Sequence, residues 1–386
     1  MNITENITLK RRVEVSLTGM NIATYTAAAI FLPYILAAII LIFLSLYIIL
    51  NKQTRKMIFT GTNSLVLKLL LAYVLTIPLL VENWIGFAAG VGVVFAIILG
   101  LFIRSIMTKD LFERLLTLIC NFSLTSVGYA IVEKIAYMLD GGGSAHRISA
   151  VFFYPNYFGT IVGTVVIICA YKVLTRQKHA WYYYMVAGLN IINMYLCKSM
   201  FVWVEVFIGV AVLLVILKRH LLLSIWLFTA AFAGFMVLFL EVNVIPRLYD
   251  VEVTVRLRQN IWELTIGQIL KAPLFGHGFY SFMFLFNESY HHQIIPHAHS
   301  IYLDMLLNFG LIGTGLFLFY IVKFYKAVIR ICFKQKNTGI TSLILAVTAA
   351  AAVHGITDIT LLWVQTLPLF LLILAGLGAF EKKTAF

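Results

Sequence analysis

The sequence predicts an all-α fold, a polytopic transmembrane helix bundle of about eleven spans with one long outer loop that contains short helices. Three observations predict it. Of 386 residues, 62% are hydrophobic and only 12% are charged, where soluble chains approach a quarter charged. The mean hydropathy is +0.96. Apolar runs long enough to cross a hydrocarbon core, about 20 residues each, recur from one end of the chain to the other. So much apolar surface can be hidden only in lipid or in helix contacts within it, which excludes a soluble enzyme, a nucleic-acid-binding domain and a disordered scaffold. The net charge of +13 then reports membrane topology and contact with anionic lipid, not nucleic acid.

The candidate spans lie near residues 28–50, 63–81, 84–106, 113–137, 151–171, 180–197, 200–217, 221–240, 301–322, 341–358 and 361–380. Lys68 and Arg114 interrupt the second and fourth and must snorkel or face the protein interior. Residues 1–386 form one integral membrane domain. Placing the connections that begin at Lys52, Arg104, Lys172, Lys218 and Lys323, with the C-terminal EKK, on the cytoplasmic side gathers 18 of the 29 Lys and Arg residues; the positive-inside rule therefore sets the orientation. Lys10, Arg11 and Arg12 then fall outside, against the rule. A break of the first segment into two helices near Pro33 would raise the count to twelve and bring the N-terminus inside; eleven is the preferred reading. The stretch MNITENITLKRRVEV runs into a hydrophobic segment without a convincing cleavage site and reads as a retained first segment. The four cysteines show no metal-ligand spacing, and no disulfide is expected.

Residues 241–300 stand apart as the one long connection, on the extracytoplasmic side of the assigned topology, and long loops are usually functional. This loop holds five of the nine histidines, His277, His291, His292, His297 and His299, with Arg247, Arg256, Arg258 and Lys271. The run RLRQNIWELTIGQIL has helical patterning that puts Arg258 and Trp262 on one face and turns Arg256 away. APLFGHGFYSF then turns the chain at Pro273, Gly276 and Gly278, and PHAHSIYLD returns it to the membrane with His297 and His299 at the mouth of a span and Asp304 one to two turns further in. An arginine fork binds phosphate oxygens, and a histidine takes a proton from a sugar hydroxyl near neutral pH. Together they describe glycosyl transfer from a polyprenyl diphosphate, the anionic leaving group held by fixed positive charge instead of a metal. No cofactor and no metal are expected; a zinc site on His297, His299 and one of His291 or His292 is the weaker alternative.

Charged side chains inside spans cost about 2.5–3.5 kcal/mol on insertion scales, which makes each one a functional candidate. Arg147 stands at the mouth of the fifth span, where Tyr154, Pro155 and Asn156 interrupt the helix. Lys198 and Ser199 stand at the junction of the sixth and seventh spans. Glu205 lies one to two turns into the seventh, and Lys198 either joins the cations facing a diphosphate or pairs with it. His354 and Asp358, four residues apart, are placed for a hydrogen bond to each other.

In the order Arg147, Pro155-Asn156, Arg258-x-x-x-Trp262, PLFGHGF, HAHSIYL, FGLIG and AVHGITD, the chain resembles the O-antigen ligase and Wzy polymerase family of bacterial polysaccharide assembly. The resemblance implies a multi-pass protein of the bacterial cytoplasmic membrane, with its active site facing outward, that transfers a glycan from undecaprenyl diphosphate to a sugar hydroxyl. By position His299 resembles the family's key histidine, the general base for the acceptor, and Arg147 and Arg258 its diphosphate-binding arginines. Arg256 and Lys198 are added as donor-binding candidates, with His297, Tyr154, Asn156, Trp262 and Asp304 in support. Lys198-Ser199 departs from the family's Ser-Arg, and Ser300 from its Asn; Lys198 supplies charge without the fork. Polymerisation of lipid-linked repeat units for O-antigen, capsule or exopolysaccharide is the favoured activity, ligation to a lipid A core or protein the alternative, and an ion-coupled transporter of a lipid-linked sugar the second alternative. The implied partners are the undecaprenyl-diphosphate-linked donor and acceptor and membrane lipids, with flippase and chain-length regulator proteins as further candidates.

Overall fold

The computed structural model describes residues 17–59, 64–141, 146–175, 179–240, 246–247, 250–286 and 296–381, and among them every regular element is a helix. After α1 (residues 17–29) come α2 (Tyr34–Leu50), α3 (Lys52–Phe59), α4 (Ser64–Leu80), α5 (Trp84–Ile106), α6 (Lys109–Leu139), α7 (Pro155–Thr175) and α8 (Ala180–Cys197). They are followed by α9 (Met200–Ile216), α10 (His220–Leu240), α11 (Val251–Ile269), α12 (Ser281–Phe286), α13 (Ile301–Ile329), α14 (Thr338–His354) and α15 (Thr366–Leu374). Five helices are long and apolar enough to cross a membrane, α5, α6, α7, α10 and α13 continued to Lys334, and α2 with α3, bent by 89°, makes a sixth if the pair is one span. The chain is thus a multi-pass membrane protein. Length alone does not reach eleven, because α4, α9, α14 and Thr366–Phe380 are shorter apolar helices.

Three expected boundaries move for local reasons. The span drawn over 28–50 is two helices that part just before Pro33, whose ring and missing N–H break the hydrogen-bond ladder. Gln365 Nε2 donates to the carbonyls of Ile30 (3.2 Å) and Leu32 (2.7 Å) that this break releases. Pro155 does not kink the fifth span from within. It is the first residue of α7, the position where a proline's missing N–H leaves no gap. In α13, Gly310 at φ 58 breaks the helix, and the PLFGHGF turn fills the break: Leu311 N–H donates to Pro273, Ile312 to Leu274, His277 to Leu307 and Gly278 to Asn308, all at 2.8–3.0 Å. The Tyr73 hydroxyl closes the same seam on the carbonyls of Phe275 and Phe309. Irregular backbone is tolerated at membrane depth when its polar groups are met in this way.

α7 is the central post, with 78% of its spanning window buried against none for α10. It packs on α8, α9 and α14, and α14 lies along α9. Gly159 and Gly163 permit that approach: a Cβ on either would stand 2.7–2.9 Å from Val202, the close contact that small residues four apart provide between membrane helices. The N-terminal end of α7, the α8–α9 junction, the start of α13 and the end of α14 consequently converge at one end of the bundle.

Candidate functional site

Arg147 is positioned by its loop before it meets anything else. Glu133 of α6 accepts from His146 Nε2 (3.0 Å), from Ser149 N–H (3.2 Å) and from Ala150 N–H (2.6 Å), and Ile148 N–H donates to Leu196 O at the end of α8 (3.2 Å). From this cradle the Arg147 guanidinium donates through Nε to Cys197 O (3.1 Å) and through Nη2 to Asn156 Oδ1 (2.5 Å), and it lies 5.9 Å from the centre of the Tyr154 ring. Asn156, in the first turn of α7, passes the contact on, its Nδ2 donating to Asp358 Oδ2 (2.7 Å).

Asp358 is the hub of the site. It follows α14 in the turn that begins at Gly355, and its Oδ1 accepts from Ile359 N–H at 2.8 Å. His299 Nδ1 stands 3.4 Å from that oxygen and His297 Nε2 3.7 Å from it. The His299 contact falls outside hydrogen-bond geometry, since Nδ1 has no bonded partner, but the charge is close enough to act on the ring. The histidine turn is held from below: Asp304 accepts from Ala298 N–H (3.3 Å) and from Asn308 Nδ2 (2.6 Å), and Asn308 Oδ1 accepts from Ser281 N–H and Oγ. His297 is buried beside His299 and Arg258, and burial first, then the neighbouring imidazole, holds its pKa down to about 4. With Nδ1 accepting from His299 N–H (3.2 Å), neutral His297 turns a protonated Nε2 toward Asp358.

The cations form a second wall. Arg258 lies 5.0 Å from the centre of the Phe201 ring, its Nη1 is buried without a partner, and the Trp262 indole N–H four residues on is likewise buried and unmet. Burial pushes the Arg258 guanidinium pKa down, while Asp358 and Arg247 pull it in opposite senses. Arg147 is lowered by burial and then by Arg247, and Lys198 by partial burial and the charges of Lys134, Arg247 and Arg147. These mutual effects place Arg147, Arg247 and Lys198 in one field. Arg256 is not part of it: three-quarters exposed, it pairs with Glu252 at 2.5 Å on the outer face of α11. Successive helical residues are 100° apart, so Arg258 turns inward and Arg256 does not.

Five of the nine described non-glycine residues with left-handed backbone lie around the site. Ala150 (φ 51), Lys198 (φ 49), Arg247 (φ 65), Tyr280 (φ 58) and His299 (φ 48) are left-handed, a conformation that costs a side-chain-bearing residue about 1–3 kcal/mol and persists at sites the surroundings over-determine. Behind Asp358 lies a closed layer in which His354 Nδ1 is 2.6 Å from Glu205 Oε2 and 3.4 Å from Thr160 Oγ1. The expected hydrogen bond between the His354 and Asp358 side chains is therefore not made, and Glu205 pairs with His354, not with Lys198. The two residues meet through the backbone, Asp358 N–H donating to His354 O at 3.1 Å, while the side chains turn to other partners, His354 to Glu205 and Asp358 to Asn156.

The ligand atoms of His297, His299 and Asp358 lie within 4.8 Å of one another and could together hold a metal ion. The acidic third member was invisible as a ligand in the sequence, and His291 and His292 lie outside the described residues. Sequence reasoning also missed Glu133, which reads as one more charge in a span, and passed over Arg247 as a loop cation. The sequence reading takes Asp358 as a partner of His354, as part of an ion path in the transporter alternative and as the end of the AVHGITD motif, but not as the residue that joins the histidines to Arg147.

Residues 163–318 match the family model described as O-antigen ligase. This segment is similar to the O-antigen ligase family. It carries Lys198, Arg258, His297 and His299, whereas Arg147, Asn156 and Asp358 come to it from outside the matched range. No curated protein matches the chain.

Proposed function

We propose that the chain polymerises oligosaccharide repeat units carried on undecaprenyl diphosphate, with its site at the outer face of the bacterial cytoplasmic membrane and about eleven crossings of the bilayer. The observation that carries this reading is the Asp358 hub, which links the histidine turn to Arg147 through Asn156. His299 acts as the general base. The Asp358 charge beside Nδ1 favours the proton there, leaving Nε2, on the opposite edge of the ring, free to accept the proton of the acceptor hydroxyl. The acceptor oxygen bonds to the anomeric carbon of the donor as the bond from that carbon to the diphosphate oxygen breaks. Arg258, with its unmet Nη1, and Arg147 take up the charge that develops on the departing diphosphate, and Arg247 and Lys198 add to the field. Trp262 and Tyr154 flank the two arginines, and His297 and Asp304 hold the turn.

The reaction proposed needs no metal. Purified protein given a diphosphate-linked repeat should lengthen it in EDTA; dependence on added divalent cation would turn the His297–His299–Asp358 cluster into a metal site and sink the metal-free mechanism. The description of the matching family favours a second reading, ligation. Glycan appearing on an added lipid A core, with no lengthening of the lipid-linked repeat, would select it.

A further inference from the structure

The site has an aromatic flank that the transfer chemistry leaves almost unused. Five rings form one continuous row beside Arg147. Tyr154 stands 5.9 Å from the Arg147 guanidinium, and its ring centre lies 6.2 Å from that of Tyr157 in the first turn of α7. Tyr157 stacks on Trp363 at 4.7 Å with the planes 7° apart, and Trp363 stacks on Phe153 at 5.2 Å and 28°. Tyr34, the first residue of α2, meets Phe153 edge-on at 5.3 Å.

The contacts that build the site also build the row. Phe153 and Tyr154 end the loop that Glu133 anchors at Ser149 and Ala150. Trp363 belongs to the segment that leaves Asp358: a short 3-10 turn, Thr360–Leu362, brings the chain to it, and its backbone N–H donates to Thr366 Oγ1 at 3.2 Å. Two residues on, Gln365 holds the carbonyls of Ile30 and Leu32, which sets Tyr34 at the far end of the row. Rings stacked in a protein interior cover one another. Here Phe153 is 55% and Tyr154 50% exposed, and Trp363 Nε1 is buried without a partner, so the row keeps open ring surface and an unmet donor.

We propose that this row is a sugar-binding platform, on which pyranose rings of the lipid-linked oligosaccharide lie against Phe153 and Tyr154. The assignment rests on the transfer reading for its class of ligand. An aromatic face is electrostatically negative, and the C–H bonds on one side of a pyranose form an apolar, weakly positive surface that such a face takes up. The hydroxyls around the sugar's edge then reach polar groups, which Tyr and Trp rings carry at theirs. An isoprenoid tail would cover the same rings and leave the Trp363 indole N–H unmet, a costly state for a buried donor. The row begins at Arg147, the cation assigned to the diphosphate, so a sugar lying on it adjoins that group. Donor and acceptor glycans are two sources of the same pyranose chemistry.

The test uses the full chain in nanodiscs and, as the ligand, the free oligosaccharide repeat cut from its lipid diphosphate. Saturation-transfer NMR should show contact between the protein and the C–H protons of the repeat, and binding should weaken about 3–10-fold in Phe153→Ala and in Trp363→Ala. In transfer assays the same variants should raise the KM of donor or acceptor by a similar factor and leave kcat within about twofold; a raised donor KM places the row under the donor glycan, a raised acceptor KM under the acceptor. Phe153→Ala, at an exposed position, keeps the test open if Trp363→Ala does not fold. A repeat that does not bind the unaltered chain, or that binds Phe153→Ala equally well, overturns the proposal, as do two unchanged KM values. Displacement of the repeat by an equal concentration of undecaprenyl monophosphate, with that lipid held less well by Phe153→Ala, overturns it in favour of an isoprenoid groove. Absence of transfer by the unaltered chain, with the repeat still bound in a Phe153-dependent way, counts against the transfer reading and leaves the platform standing.

Discussion

The two ends of α7 bury charge in opposite ways. At the Thr175 end, Lys172 Nζ donates to Glu113 Oε2 (2.6 Å), to Glu113 O (2.8 Å) and to Thr117 Oγ1 (3.2 Å), while the Tyr171 hydroxyl takes the other carboxylate oxygen at 2.6 Å. Every hydrogen of that ammonium has an acceptor, and the cluster is closed. At the Pro155 end, Arg147, Asn156, Asp358, His299 and Arg258 come together with Arg258 Nη1 and His299 Nδ1 unmet and five side-chain-bearing residues in the left-handed region nearby. Buried charge is thus a poor signal of function on its own. Incomplete satisfaction distinguishes the site from the brace, because a closed cluster has nothing left for a substrate; left-handed backbone does not, since His179 near the brace adopts it too.

Breaking the closed end should cost the most stability. Lys172→Met strands Glu113 in the interior and should destabilise by about 3–5 kcal/mol, seen as a large fall in the thermal midpoint in detergent; Lys172→Met/Glu113→Leu should recover most of it. Full stability of the single variant would show that the two ends do not differ in kind. At the open end the effect should fall on rate: Asp358→Asn keeps the shape and one of the two hydrogen bonds that Asp358 accepts from Asn156 and Ile359 but removes the charge beside His299, and should lower kcat about 10–100-fold with a much smaller fall in the thermal midpoint than Lys172→Met. A loss of fold without a specific loss of rate would make Asp358 another brace.

A smaller effect follows from His297. Its pKa in the folded chain is about 4 against an ordinary 6.5, so between those values the unfolded chain binds a proton that the folded chain refuses. Stability should therefore rise with pH from about 4 to 6.5 and be flat above, since the group is neutral in both states there. His297→Asn should flatten the slope in a midpoint-against-pH series, and an unchanged slope would remove the buried neutral imidazole from the account. The smallest effect belongs to Arg256. Exposed and paired with Glu252 at the surface, it should lose less than about twofold in transfer rate when replaced by alanine, surface pairs being worth little; a large loss would mean that the substrate reaches the outer face of α11.

Much of this was legible before the structure. The helical class follows from hydropathy, and the 3.6-residue pattern of RLRQNIWELTIGQIL gives α11 and the shared face of Arg258 and Trp262, while which face turns inward is set by packing. Local chemistry was harder to place. Pro155 looks like an interruption in a sequence window and is a helix start in space, and Pro33 parts two helices that hydropathy alone runs together. Pairing was least legible: His354 and Asp358 are four apart, but the partner of His354 is Glu205, 149 residues away, and that of Asp358 is Asn156, 202 residues away. Only the packing of α14 along α9 and α7 decides between them. Glu133 and Arg247 act through tertiary proximity to Arg147 and leave no periodic trace.

The most direct test of the site is the rate of glycan transfer by His299→Ala, with Arg258→Lys alongside, on a diphosphate-linked repeat in EDTA. The account predicts a fall of about 10²–10⁴-fold for the histidine variant, with the protein still folded, and a higher donor KM for the lysine that keeps charge but loses the fork. Transfer by His299→Ala at the rate of the unaltered chain would contradict it.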